Sequence, residues 1–316
     1  MWLINTSYGW NPGDDLIREG VLELLGIQHD SKVFINRGQI EQGGKILPIW
    51  KSMRNIPDAR SLCSQAKGII IAGSPEWVTH FEPFYAAAKE FSVPIYMVGI
   101  GMRAAGQEAF DRVKDVSPLI RGVTVRDKYA ASTMLALEQE FEWFPDPAFS
   151  APYPPCKKTY DLVINYRSRG GNGEFSPEFD AYWRAVAKQY RKEISLVTVH
   201  EAGEYALAKR IFPEQTVFFS SDYLDYKRIY SATSRYLGGR VHGATPVIAT
   251  GGTAHVVYNN LKIDVLEQVS TIAETLTVSR YDEPVPASID KKPIGPALGE
   301  WLRKHKSYWG QRFQNE

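Results

Sequence analysis

The 316-residue chain predicts an α/β protein of two similar domains that face each other across a cleft. Short β-rich runs alternate with stretches whose apolar residues recur at helical spacing, the pattern of repeated βα units. A proline-rich segment, Ser150-Ala-Pro-Tyr-Pro-Pro-Cys-Lys-Lys158, breaks that alternation near mid-chain and reads as a stiff, extended connection. The length is generous for one hydrophobic core and comfortable for two. We therefore divide the chain into 1–152 and 153–316.

Within the first domain, apolar runs predict strands at 2–5, 33–36, 68–72, 94–99, 122–126 and 141–144. Helical spacing of apolar residues predicts helices over 15–25, 81–91, 107–120 and 128–138. The second domain restarts with Asp161-Leu-Val-Ile-Asn-Tyr, a strand, followed by a helix over 177–191. Strand 194–199, helix 202–211, strand 216–219, helix 223–234, strand 236–239, helix 244–249 and strand 254–258 complete it. Residues 295–313 read as one helix carrying Trp301 and Trp309, suited to pack back on the first domain or against a second subunit. Ligands of such folds bind at the carboxyl ends of the strands, which makes the cleft the expected site.

Bulk properties exclude several classes. The 44% apolar and 12% aromatic content fit a well-packed interior. Thirty-seven basic against 36 acidic residues leave a net charge of +1, too little to draw nucleic acid nonspecifically. No apolar run approaches the roughly 18 residues of a membrane span. The opening Met-Trp-Leu-Ile-Asn runs straight into a strand, so no leader peptide is expected. Cys63 and Cys156 have neither metal-ligand spacing nor disulfide density, which predicts a reducing, cytoplasmic setting. Six scattered histidines argue against a metal cluster.

The stretch Tyr236-Leu-Gly-Gly-Arg240-Val-His242-Gly243-Ala244-Thr-Pro-Val-Ile-Ala249 carries the most chemistry. It reads as a strand ending in Gly-Gly, then Arg240 and His242, then a helix starting at Gly243 or Ala244. Strand alternation puts Arg240 and His242 on one side and Val241 on the other. The unbonded amides and positive end of the helix then lie beside the pair. A cation, an imidazole and a helix start together suit a phosphate or carboxylate ligand and acid/base chemistry on it. The alternative is a histidine packed under a turn, with the arginine at the surface.

Other segments add candidates. In Asn11-Pro-Gly-Asp14-Asp15, one carboxylate caps the first helix and the other is left to accept from hydroxyls, or both are structural. Glu76-Trp77 follows an apolar strand and fits either a sugar site or a loop anchored by its ring. Val98-Gly-Ile-Gly-Met-Arg103 lacks the third glycine of a dinucleotide fingerprint, which argues against a nicotinamide or flavin cofactor. Arg126 ends a strand and either clamps an anion or pairs with Asp127, the cap of the next helix. Asp146 stands in a rigid Pro-Asp-Pro turn. The glycine-rich loop after Asn165 offers Arg167 or Arg169 to a phosphate, and Lys262 falls on the same sheet edge as His242.

In order along the chain, Asn11-Pro-Gly-Asp14-Asp-Leu-Ile, Gly99-Ile-Gly101, Thr124-Val-Arg126-Asp127, Gly238-Gly-Arg240-Val-His242-Gly243 and Tyr258-Asn-Asn-Leu-Lys262 resemble the polysaccharide pyruvyl transferase family. The resemblance implies two Rossmann-like domains of the glycosyltransferase B type, acceptor-side first and donor-binding second. It implies transfer of a pyruvyl group from phosphoenolpyruvate to two sugar hydroxyls, giving a cyclic ketal and releasing phosphate. The acceptor would be a saccharide, free or lipid-linked. His242 resembles the catalytic histidine of the family, and Arg126, Arg240 and Lys262 its donor-binding cations. Asp14 falls at the family's N-terminal Gly-Asp motif.

On this reading Arg240 and Asp14 join His242 in the chemistry, while Gly243, Ala244 and Arg167 help hold the donor phosphate. The scheme requires no metal and no cofactor beyond the donor. Ala72-Gly-Ser-Pro75 departs from the glycine run many members carry there, in the acceptor half. Two other readings fit the same fold. One is a sugar-nucleotide glycosyltransferase with Glu76 or Asp14 as base, and the other a noncatalytic glycan-binding relative.

Overall fold

Apolar runs too short for helices form strands buried on both faces, as the inner strands of a parallel sheet are. Gly68–Ala72 and Ile95–Ile100 are buried at every position. The structure is a computed structural model. It describes residues 1–5, 12–27, 32–36, 39–42, 45–48, 59–73, 81–102, 107–168, 177–258, 269, 275–290 and 296–313, with backbone alone for 32–34, 36, 39–42, 45–48 and 107–109. Two units divide the chain, Met1–Ala151 with Trp301–Glu316, and Pro152–Glu300.

The first unit runs β1 (Trp2–Asn5), α1 (Pro12–Leu25), β2 (Lys32–Asn36), β3 (Gln39–Gln42), β4 (Lys45–Pro48), α2 (Ala59–Cys63), β5 (Gly68–Ala72), α3 (Glu82–Phe91) and β6 (Ile95–Ile100). Then follow α4 (Gln107–Val113), a 3₁₀ segment Lys114–Leu119, β7 (Ile120–Val125), α5 (Lys128–Ala136), β8 (Glu142–Trp143) and a 3₁₀ turn Pro147–Ser150. Its eight strands lie in the order β4-β3-β2-β1-β5-β6-β7-β8. Strand order reverses between β1 and β5, which pair in parallel with Leu3 opposite Ile69. α1 lies against the Pro147–Ser150 turn at Gly20, where a Cβ would come within 3.2 Å of the Ala148 nitrogen.

The second unit holds β9 (Tyr160–Asn165), α6 (Pro177–Gln189), β10 (Ile194–Thr198), α7 (Ala202–Ile211), β11 (Val217–Phe218), α8 (Tyr223–Ser231), β12 (Thr233–Gly238), α9 (Val241–Ala249), β13 (Thr253–Tyr258) and β14 (Leu276–Arg280). All six strands are parallel, in the order β11-β10-β9-β12-β13-β14. Here the reversal falls between β9 and β12, with Tyr236 opposite Val163. Tyr166, Trp183, Tyr190 and Phe212 fill the core between this sheet and its helices.

The last helix, α10 (Pro296–Phe313), contributes its aromatic face to the first unit. Phe313 meets Trp2 at 4.6 Å and Tyr96 at 4.8 Å between ring centroids. Trp309 is fully buried and donates to His305 Nε2, whose ring stacks on Phe144. The Tyr308 hydroxyl donates to the Val123 carbonyl, which ties the helix to β7.

Several expected elements are corrected. The helix expected over 107–120 ends at Val113 and tightens to 3₁₀, with Pro118 inside that turn. The expected helix 223–234 ends at Ser231, and β12 begins at Thr233. β3, β4 and β14 were not anticipated, because Gln-Ile-Glu-Gln and Leu-Thr-Val-Ser-Arg carry few apolar residues. These outer strands take their order from pairing with β2 and β13. Among the described residues no helix is long and apolar enough to cross a membrane. Cys63 is buried and Cys156 exposed, both as free thiols.

Buried imidazoles, His255 and His305 among them, make the fold sensitive to acid. His255 bonds Thr277 Oγ1 and Ser279 Oγ across β13 and β14. Burial lowers its pKa to about 4 and that of His305 to about 3. In the unfolded chain both titrate near 6.5. Above pH 6.5 neither state holds these protons, so their contribution to stability is constant. Below it the unfolded chain binds protons that the native state refuses, so stability falls by about 1.4 kcal/mol per pH unit per ring. Urea midpoints are expected to be steady from pH 8 to 7 and to drop between pH 6.5 and 5, with a shallower drop in His255→Gln.

Candidate functional site

The carboxyl ends of β9, β10 and β12 are adjacent in the second sheet, at the point where strand order reverses. Such a switch point opens the crevice that ligands occupy in open α/β sheets. Three loop segments meet there. Tyr166-Arg167-Ser168 follows β9, Val199-His200-Glu201 follows β10, and Gly239-Arg240 follows β12.

Backbone bonds hold the loops together. The Gly239 amide donates to the Asn165 carbonyl at 3.2 Å, and Arg167 Nη1 to the Gly239 carbonyl at 3.4 Å. Trp183 Nε1 anchors the Arg167 carbonyl from α6. Tyr236 turns back from β12, and its hydroxyl donates to the Arg240 carbonyl at 2.8 Å. Gly238 and Gly243 make room for that ring. A Cβ at Gly238 would sit 2.5 Å from Tyr236 Cζ, and one at Gly243 2.7 Å from the same atom. These glycines serve close approach and need no special backbone dihedral.

The charges are arranged around Arg240. Its Nη2 donates to Glu201 Oε1 at 2.9 Å and to both Glu204 oxygens at 3.1 and 3.2 Å. Burial opposes the guanidinium charge, but Glu204 and Glu201 more than offset it and hold the pKa above the usual arginine value. Glu204 Oε1 also accepts the Ser168 amide at 3.2 Å. His200 is buried against Tyr226, with Nε2 2.7 Å from the Tyr230 hydroxyl. Burial, then neighbouring Arg240, His242 and Arg167, keep its pKa well below the ordinary imidazole value. That electrostatic coupling brings Arg167, His200, Arg240 and His242 into one neighbourhood. His200 Nδ1 and Arg240 Nε are buried with no hydrogen-bond partner among the described residues.

Three expectations at this site change. β12 stops at Gly238, and α9 begins at Val241 with Arg240 as its N-cap residue. His242 therefore lies in the first helical turn, and strand alternation does not relate it to Arg240. Val241, which strand alternation would have set apart, is a buried first-turn residue. Gly243 and Ala244 are buried within that turn, and the Gly243 amide already donates to the Arg240 carbonyl at 3.2 Å. Gly243 thus offers space for Tyr236, with its amide spoken for. Sequence reasoning missed Glu201, Glu204 and His200. Their signal was a His-Glu pair directly after a strand, at the same edge as the glycine-rich turns.

Asp14 and Arg126 stand in the first unit. α1 starts at Pro12, so Asp14 and Asp15 lie inside its first turn. Asp14 is buried there, and Asp15 pairs with Arg18 at 3.3 Å. Arg126 was expected to clamp an anion or to pair with Asp127, and it pairs with the buried Asp146. Asp146 accepts the Ala148 amide as well. Asp127 caps α5 through Ala130 and also takes the Met102 amide. Burial raises the Asp127 pKa, against the Ala130 amide, the Arg126 charge and the Met102 amide. Lys262, Glu76, Trp77, Arg103 and Arg169 lie outside the described residues. Among the described residues, no three His, Cys, Asp or Glu side chains are grouped to hold a metal ion.

Two doubly wound α/β units, with charged loops at the strand ends of the second, define a protein of the glycosyltransferase B type. Solved structures share that fold. S. aureus MnaA in a co-structure with UDP aligns over 99% of this chain and 91% of its own, at 13% identity and a TM-score of 0.59. A putative UDP-N-acetylglucosamine 2-epimerase from Listeria monocytogenes aligns over 99% and 90%, at 13% identity and a TM-score of 0.58. The Neisseria meningitidis UDP-GlcNAc 2-epimerase bound to UDP-GlcNAc aligns over 99% and 94%, at 11% identity and a TM-score of 0.54. At such identities the likeness is one of fold alone. No curated protein matches the chain in sequence. Residues 11–260 match the family model of polysaccharide pyruvyl transferase, and the chain belongs to that family. Membership makes it a transferase that modifies glycans.

The packing of Tyr236 is testable. Gly243→Ala is expected to cost about 1–3 kcal/mol by overpacking. Tyr236→Phe in the same chain should recover part of that loss in urea unfolding, since contacting residues couple.

Proposed function

We propose that this transferase moves a pyruvyl group from phosphoenolpyruvate to two hydroxyls of a saccharide. The product is a cyclic ketal, and inorganic phosphate is released. One observation carries the reading. Arg167, Arg240, His200 and His242 share one neighbourhood at the β9/β12 switch point, inside the stretch that matches the family. Phosphoenolpyruvate bears a carboxylate and a phosphate, and guanidinium groups match both in shape and charge.

The chemistry is an addition followed by a displacement. One hydroxyl oxygen bonds to C2 of the donor as its own proton leaves, and a proton is delivered to the methylene carbon, which becomes a methyl group. The second hydroxyl oxygen then bonds to C2 as the C2–O bond to phosphate breaks. Its proton leaves with the phosphate. His242 is the side chain we assign to proton transfer, since an imidazole can give or take a proton. Arg240 and Arg167 hold donor charge, and the first turn of α9 contributes its positive end. Arg126 and Asp14, inside the stretch that matches the family, and Lys262, two residues beyond it, are further proposed participants. Phosphoenolpyruvate is then the only small molecule needed beside the acceptor.

The test is phosphate release from phosphoenolpyruvate with candidate glycans, together with calorimetric binding. His242→Ala is expected to keep wild-type circular dichroism and to lose about 10²–10⁴-fold in turnover, the usual worth of such proton transfer. Wild-type turnover in that variant would refute the role of His242. Binding of a uridine or guanosine diphosphate sugar in place of phosphoenolpyruvate would refute the donor.

A further inference from the structure

We propose that Glu201 is a displaceable counter-ion of Arg240, holding the guanidinium until the donor anion takes its place and reclaiming it as phosphate leaves. The inference rests on the reading of this cluster as the donor site. It adds a residue that sets donor affinity and product release.

Glu201 and Glu204 reach the same nitrogen, Arg240 Nη2, yet their settings differ. Glu204 is 2% exposed and Glu201 is 49% exposed. Glu204 is also tied to the Ser168 amide, so its departure would strip two partners and strand a charge in the interior. Glu201 can leave for water. Only the Glu201 end of the pair is exposed, so water can serve that carboxylate when it leaves, while Glu204 keeps the buried guanidinium paired.

The local backbone supports the same division. Glu201 stands at the N-cap position of α7, extended at φ −120° and ψ 133°, yet its side chain caps nothing in that helix. Arg240 stands at the N-cap of α9, again with no side-chain cap. Two helix starts, at the ends of the strands that flank β9, thus lack side-chain caps, and the Glu201 carboxylate turns to Arg240.

Charge counting gives the consequence. Arg167 and Arg240 supply two positive charges, and Glu201 and Glu204 supply two negative ones. His200, surrounded by Arg167, Arg240 and His242, is held neutral by burial and by them. Among the described residues these arginines and carboxylates balance, so an arriving dianion would meet a carboxylate on the nitrogen it needs. When Glu201 swings away, the anion gains Arg240 while Glu204 keeps the guanidinium in place. After transfer, Glu201 competes with inorganic phosphate and speeds its release.

The experiment uses the full chain, with phosphoenolpyruvate and inorganic phosphate as probes. Glu201→Gln is expected to lower the KM for phosphoenolpyruvate and the inhibition constant of phosphate by about two- to fivefold, the worth of a weak ion pair with one partner in solvent. Its kcat should hold or fall as release slows. Glu201→Ala carries the same expectation, and Glu204→Gln the opposite one, a raised KM. Unchanged or weaker binding of both probes in the two Glu201 variants overturns the proposal. Arg240→Gln separates this from the donor-site reading. If it binds phosphoenolpyruvate as the wild type does, the site itself is misassigned and the proposal falls with it. If it loses binding while the Glu201 variants match wild type, only the counter-ion role fails.

Discussion

A guanidinium is kept almost out of water at the end of β12 because a buried carboxylate waits for it. Arg240 and Glu204 come from sequence positions 36 apart, and their contact joins the start of α9 to the first turn of α7. Glu204 then reaches a third element through the Ser168 amide. One ion pair therefore gathers the loops after β9, β10 and β12. Removing one partner of such a pair leaves an uncompensated charge and costs about 3–5 kcal/mol. The position of His242 follows from it, since His242 is two residues beyond the arginine that this pair holds.

The first unit uses the same device with a different outcome. Arg126 also ends a strand and also meets a carboxylate, but Asp146 is buried and doubly engaged, with the Ala148 amide as its other partner. Arg240 has in addition a half-exposed partner that water can receive. Arg126 is thus held by a buried, fixed carboxylate, whereas one of the two carboxylates on Arg240 can give way to a ligand. Both units pack glycines against the site-bearing turns for room. Gly101 lies against Arg126 and Asp127, and Gly243 against Tyr236.

Buried neutral imidazoles recur in the molecule for unlike reasons. His305 lies on Phe144 and accepts from Trp309 within the first unit, and His255 bridges two strands of the second. Both are matters of packing: His255 engages both ring nitrogens, and His305 its Nε2. His200 differs because positively charged neighbours as well as burial suppress its proton. Perturbation by a cluster of charges at a strand end is the pattern of a functional site.

Alternating apolar runs and helical spacing were enough to read both doubly wound units, since inner strands such as Gly-Ile-Ile-Ile-Ala carry their burial in their composition. The chemistry of Arg-Val-His-Gly was likewise legible, because residue types alone name a cation and a proton carrier. The start of α9 was not. Arg-Val-His continues a strand pattern as well as it opens a helix, and the choice fell to Tyr236 bonding the Arg240 carbonyl over glycines that admit its ring. Ion-pair partners were equally hidden, since local sequence put Asp127 beside Arg126 while the fold brought Asp146 from 20 residues away. Composition and periodicity act between neighbours in the chain, and so determined the inner strands, the helices between them and the candidate residues. Which charges face each other depends on how strand ends are brought side by side, and only the tertiary structure decides that.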